Sequence, residues 1–253
     1  MNNEKIFIHF DTNITHVYTL SDELKHIETY NIFFNETYIN YELYKKIDFI
    51  INDIKEKGYE INNKTTRLFA TGIFEELSQE EKQQLIINTY TRFGLYMNVL
   101  EKDLKEFYLS NSKNNNIIEG LVKQEFRKVV ICGSFQKYMN EINEIKELME
   151  KHNIEVLSPW TSNIVEETIG TDFILLEGQE LENERDAWRH KLDHMNKFKK
   201  ADAIIVCDPN GTVGKGTMFE FGFMIAHTKR IIFVEEPNNL SILFPYEIGL
   251  NFK

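Results

Sequence analysis

Cysteine is nearly absent from this chain. Cys132 and Cys207 are the only two in 253 residues. Two cysteines cannot by themselves make a disulfide framework or a structural zinc site, and both fall at the ends of predicted buried strands, which suits a reducing compartment. Positive charge is scarce as well: 29 Lys and Arg against 40 Asp and Glu give a formal charge of −11. The basic runs are no longer than the pairs Lys45-Lys46 and Lys199-Lys200. A nucleic-acid groove would have to work against the molecule's own field, so the expected partner is a small molecule. No stretch reads as a signal peptide or a membrane span, and a cytoplasmic protein is expected. The rest, 42% hydrophobic and 27% charged, is an ordinary globular mixture of a length that fits one large or two ordinary domains.

The first half reads as α/β. Ile6–Phe10 and Val17–Leu20 are predicted strands joined by Asp11-Thr12-Asn13, a hairpin signal. From Asn35 to Lys57, Tyr38, Tyr41, Tyr44, Ile47, Ile50, Ile51 and Ile54 fall at helical spacing, and Gly58 stops the helix. Thr66–Thr71 is a strand. Ser78-x-x-Glu81 opens a helix that runs to Phe93, and Gly94 ends it. A strand at Tyr96–Leu100 and a short helix at Lys102–Leu109 follow. The polar run Ser110–Asn116 is the predicted linker, with a first domain at 1–112 and a second at 117–253.

The second domain opens with a helix near Ile117–Arg127. Predicted strands at Lys128–Ser134, Ile154–Pro159, Ala203–Cys207 and Arg230–Val234 then alternate with helices, including Glu184–Lys200 and Thr217–His227. Continuous apolar strands between helices predict a parallel sheet covered on both faces. Ligands of such sheets sit at the carboxyl ends of the strands. Those ends supply the candidate substrate contacts Cys132, Gly133, Ser134, Pro159, Asp208, Asn210, Gly211, Gly214, Gly216 and Thr217. Trp160–Glu182 is expected to form a loop over them.

Glu220 is the odd residue of this half, the one charge between Thr217 and Ala226. Thr217-x-x-Glu220 fits a capping box. A carboxylate near a helix start at the strand-end crevice also fits a nucleophile for an anomeric carbon, kept anionic by the helix dipole. The two roles are compatible. Gly211, Gly214 and Gly216 allow backbone amides to approach a ligand, or simply make a tight turn; they match neither the dinucleotide nor the phosphate-loop pattern. Ser134 is either an ordinary helix cap or a phosphate or sugar contact. On the Glu184–Lys200 helix, Asp186, His190, Asp193, His194 and Lys197 share one side. His190-x-x-x-His194 has metal-ligand spacing without a third ligand, and no metal or cofactor is expected. The alternatives are a solvated face, or an Asp193 or His194 that orients substrate or protonates a leaving base.

Several of these pieces occur together, in order: Lys128–Ser134, Val156-Leu-Ser-Pro159, His194 with Lys197, Ala201-Asp202-Ala-Ile-Ile-Val206, Asn210-Gly211-x-x-Gly214 and Thr217-x-x-Glu220-x-Gly222. Over about residues 128–236 the chain resembles the nucleoside 2-deoxyribosyltransferase-like family, which includes nucleotide N-glycosidases. The resemblance implies a flavodoxin-like sandwich, usually an oligomer, and cleavage of an N-glycosidic bond with Glu220 as nucleophile, the sugar passing to a base or to water. His194 lies closest to the family's assisting acid, with Asp193 beside it. Some transferases carry an acid six positions before the glutamate, where this chain has Gly214, so hydrolysis of a nucleotide or of NAD is as plausible as base exchange. A nucleotide sensor without turnover is the alternative. The first half weakly resembles one lobe of exopolyphosphatase-type, actin-like domains, without the glycine of their phosphate hairpin and without the second lobe. This implies a structural, dimerising or sensing module.

Overall fold

A computed structural model describes residues 4–35, 40–168, 175–179, 186–241 and 243–250. Tyr38, the predicted start at Glu184 and much of the loop expected at Trp160–Glu182 lie outside them, as does the side chain of Asp186. The chain forms two compact units, Met1–Glu125 with Phe244–Glu247, and Phe126–Leu243 with Ile248–Lys253.

In the first unit, β1 (Lys5–Phe10) and β2 (Thr15–Leu20) form the expected hairpin, and β3 (Leu24–Tyr30) pairs antiparallel beyond it. Helix α1 (Tyr41–Glu56) leads to β4 (Thr66–Ala70), then α2 (Gln79–Phe93) to β5 (Met97–Val99). Both later strands run parallel to β1, giving the order β3-β2-β1-β4-β5. This is an α/β arrangement, as expected of the first half. Alternation along β1 sends Ile6, Ile8 and Phe10 to a core with Ile47, Ile50 and Ile54 of α1. Phe7 points the other way, into a core with Leu104, Tyr108, Ile118 and Leu121. Those residues lie on α3 (Lys102–Asn111) and α4 (Ile117–Lys123).

The polar run after α3 is not an open tether. It is a hydrogen-bonded turn within the first unit: Glu119 accepts from the Ser112 hydroxyl and the Lys113 amide, and Asn116 caps α4. Gly120 lets α4 close on α3, since a Cβ there would lie 1.8 Å from the Tyr108 carbonyl oxygen. The unit boundary falls at 125/126.

The second unit has β6 (Lys128–Gly133), α5 (Phe135–Lys151), β7 (Glu155–Ser158), α6 (Asp186–Phe198), β8 (Ala203–Cys207), α7 (Lys215–Ala226) and β9 (Arg230–Phe233), and its sheet takes in the two-residue β10 (Glu247–Ile248), of which Ile248 belongs to this unit and Glu247 to the first. The sheet order is β10-β9-β8-β6-β7, with β6 to β9 all parallel. That is the flavodoxin-like order. Val129, Ile131, Ala203, Ile205, Cys207 and Ile232 pack with α5 on one face; α6 and α7 lie on the other. Asp202 ties the strand starts together, accepting from both Arg127 and Lys128 amides and from the Arg127 guanidinium. Among the described residues, no helix is long and apolar enough to cross a membrane.

Candidate active site

Strand alternation decides which strand-end side chains meet. With Ile131 and Cys207 turned to α5, Cys132 and Asp208 face α6 and α7. Simple alternation would turn Ser158 to the same face as Val156, toward α5. Instead the register slips, pairing Val129 with Val156 but Val130 with Ser158. The irregularity re-aims Ser158, and its hydroxyl meets His194 Nδ1 at 2.8 Å. His194 stands between Phe135 and Phe198 rings. Its Nε2 lies 3.8 Å from Cys132 Sγ and 3.4 Å from Glu220 Oε1. Lys191, one turn earlier on α6, places its ammonium on the same Oε1.

Glu220 is 4% exposed. Burial pushes its carboxyl up, but hydrogen bonding and charge from His194, then Lys191, more than offset this and hold it below the usual range. It is therefore an anion in a closed setting. Asp208, also 4% exposed, behaves oppositely. Burial, and then the charge of Glu220, raise its carboxyl to about 7, with a small opposing pull from the Gly214 amide. Apart from that amide, neither Asp208 oxygen has a hydrogen-bond partner among the described residues. Burial and the neighbouring Glu220 also push the Cys132 thiol well above its ordinary range.

The capping box expected at Thr217 does not form. Helix α7 begins at Lys215 with Gly214 as its N-cap and no side-chain capping bond. Glu220 thus sits in the second turn, and its charge is held by α6 rather than by the helix end. Ser134 is the N-cap of α5, but its side chain makes no capping bond. Gly133 is needed for strand approach: a Cβ there would lie 2.3 Å from the Cys207 carbonyl oxygen.

The glycine loop has two parts. Asn210 and Val213 donate their amides to Glu235 and Asn239, and the Gly211 carbonyl accepts from Asn238. Those groups brace the loop and are not turned to a ligand. Gly214 and Gly216 differ, because a Cβ at either would meet nothing within 4 Å. Thr217 is buried behind them, and Asn210 is exposed. Pro159 is buried directly after Ser158.

A cavity of about 500 Å³ opens beside α6, lined by Trp160, Gln179, His190, Asp193, His194, Asn196, Lys197 and Lys200. Asp193 is exposed on its wall, whereas Glu220 lies behind His194 and does not line it. Cys132, His194 and Glu220, but not His190, bring possible metal-ligand atoms within 4.8 Å of one another. Sequence reasoning placed Glu220, His194, Cys132, Asp208 and Ser158 at this end of the sheet but missed Lys191. Lys191 precedes His194 by three residues, a spacing that shares a helix face. The bond from Ser158 to His194 needs the slipped register, which the sequence does not signal.

Residues 131–242 match the family model described as nucleoside 2-deoxyribosyltransferase. The match is under half of the chain and contains every group that converges on Glu220. No curated protein matches the chain significantly. Among solved structures, one similar chain is described as an Aquifex aeolicus member of the Ppx/GppA protein family, at 11% identity and a TM-score of 0.31. The alignment covers 83% of this chain and 66% of that one, just under two thirds of its length.

Proposed function

We propose that the second unit cleaves the N-glycosidic bond of a nucleoside, a nucleotide or NAD. The observation that carries this reading is Glu220, a buried carboxylate kept anionic at the strand ends inside the segment that matches the transferase family. Glu220 attacks the anomeric carbon through an oxocarbenium-like transition state, and the base departs. Water or a second base then takes the sugar from the glycosyl ester. Lys191 and His194 converge on Oε1. Ser158 orients His194, as second partners of catalytic imidazoles do. Gly214, Gly216 and Ser134 flank the space for the sugar, and Asp193 and His194 face the cavity from which a base or acceptor enters.

A second reading is a nucleotide sensor without turnover. It is favoured by one observation: Glu220 is covered by Lys191 and set back from the cavity. Incubation of the protein with a panel of deoxynucleosides, their 5′-phosphates and NAD, followed by chromatography, separates the two. The enzyme reading expects free base from at least one compound, falling about 10³-fold or more in Glu220→Gln. Tight binding without base release, or equal release by the variant, selects the sensor or removes Glu220 from the chemistry.

A further inference from the structure

The leaving base needs a proton, and the two groups nearest the nucleophile are poorly placed to give one. Lys191 and His194 both meet Glu220 Oε1. A proton lost from Lys191 would remove the counter-charge that helps keep Glu220 ionised, and His194 Nε2 is engaged with the same oxygen. The Cys132 thiol is too weak an acid, raised by burial and by Glu220. Asp208 remains. It stands at the carboxyl end of β8 on the same face as Cys132, it is 96% buried, and, the Gly214 amide apart, its oxygens lack hydrogen-bond partners among the described residues. A buried carboxyl so sparsely partnered is costly and calls for a ligand or a function. Around it the chain is braced, with Asn210 held by Glu235 and Val213 by Asn239, so the carboxyl is held on a fixed backbone. The space beside Gly214 and Gly216 is open.

Resting on the N-glycosidic reading above, we infer that Asp208 is the acid that protonates the departing base and the base that then activates water. In the first step Glu220 forms a bond to the anomeric carbon as the C–N bond breaks. The bonding pair goes to the base nitrogen, which takes the proton of the neutral Asp208 carboxyl. Asp208 is left as a carboxylate, and Glu220 as a glycosyl ester. In the second step water attacks the same carbon and gives its proton to Asp208. The ester C–O bond breaks, its pair returns to Glu220, and both carboxyls regain their starting charge. The near-neutral carboxyl of Asp208 beside an ionised Glu220 supports the division of labour: two acids whose surroundings separate their protonation states.

The test uses leaving groups with different needs for a proton. Adenine leaves 2′-deoxyadenosine readily only when protonated; the cationic base of 7-methyl-2′-deoxyguanosine leaves as a neutral molecule without one. Single-turnover base release is measured on both, with and without a 5′-phosphate, for the full chain and for Asp208→Asn and Glu220→Gln. Asp208→Asn is expected to slow adenine release about 10²-fold or more and methylguanine release less than about tenfold. Glu220→Gln should abolish both. If Asp208→Asn slows the two equally, or neither, Asp208 is not the proton donor, while the glycosidic reading stands. If no compound of the nucleotide panel loses its base to the unaltered protein, or Glu220→Gln releases both bases at its rate, that reading fails and this one with it. Should Asp208→Asn melt without a cooperative transition, Asp208→Ala with added formate replaces it. Recovery of adenine release alone then supports the assignment, and its absence overturns it.

Discussion

Glu220 and Asp208 are equally buried carboxyls with opposite protonation, because Lys191 and His194 hold one as an anion while burial and its neighbour's charge raise the other. The contrast has a stability consequence. The Asp208 carboxyl, ordinarily near 3.8, is raised to about 7 in the fold. Between those values the unfolded chain releases its proton and the folded chain keeps it, so raising the pH through this window destabilises the fold, and the full cost is present above it. Asp208→Asn removes the titration. Its stability should exceed that of the unaltered protein by roughly 1–3 kcal/mol at pH 8 and by little at pH 4. Thermal melts across that range check it; a gap that does not change with pH contradicts the assignment. Such a gain from removing a functional group is the usual trade between stability and activity.

At the scale of elements, the site depends on the β6 and β8 starts being locked in register. Asp202 does this with four accepted hydrogen bonds. Asp202→Ala removes four accepted hydrogen bonds and should cost about 2–3 kcal/mol, read as a lowered urea midpoint; a loss under about 0.5 kcal/mol would show that Arg127 and Lys128 re-pair with water at no cost. The long apolar runs made most elements legible. Ala203–Cys207 falls where the pattern puts it, and the Ser78 capping box forms as written. The failures have physical causes. Strand β3 carries Lys25, His26 and Glu28, mostly open to solvent at a sheet edge, so no apolar alternation announces it. Helix α7 starts two residues early because Gly214 takes the cap position, which moves Glu220 from the cap into the second turn. The cation partner of Glu220 lies 29 residues away on α6, a separation that no local pattern encodes.

At the scale of the molecule, the chain returns to its first unit near its end, since Phe244–Glu247 fold with residues 1–125. Glu247 forms an ion pair with Arg67 at 2.5 Å, both almost fully buried. Arg67 keeps its bonds to the Asn63 and Thr66 carbonyls but loses its counter-charge: Glu247→Ala should destabilise by roughly 3 kcal/mol, whereas replacing both by Met should recover most of that. Denaturation followed on the single and double variants tests this, and a single variant within about 1 kcal/mol of the unaltered protein would contradict it. The split between sequence and structure also follows scale. Local periodicity shows helices and strands, and the joint order of motifs over 128–236 points to the chemistry. The return of Phe244–Glu247 to the first unit is a long-range event that the linear pattern does not carry.

The central claim is that Glu220 becomes covalently bound to sugar. The most direct measurement is acid-quenched peptide mass spectrometry, within the first turnover, of protein mixed with whichever compound in the nucleotide panel loses its base. The account predicts one glycosyl unit on the peptide containing Glu220, absent from Glu220→Gln. Base release with that peptide unmodified, or with the glycosyl unit on another residue, would contradict it.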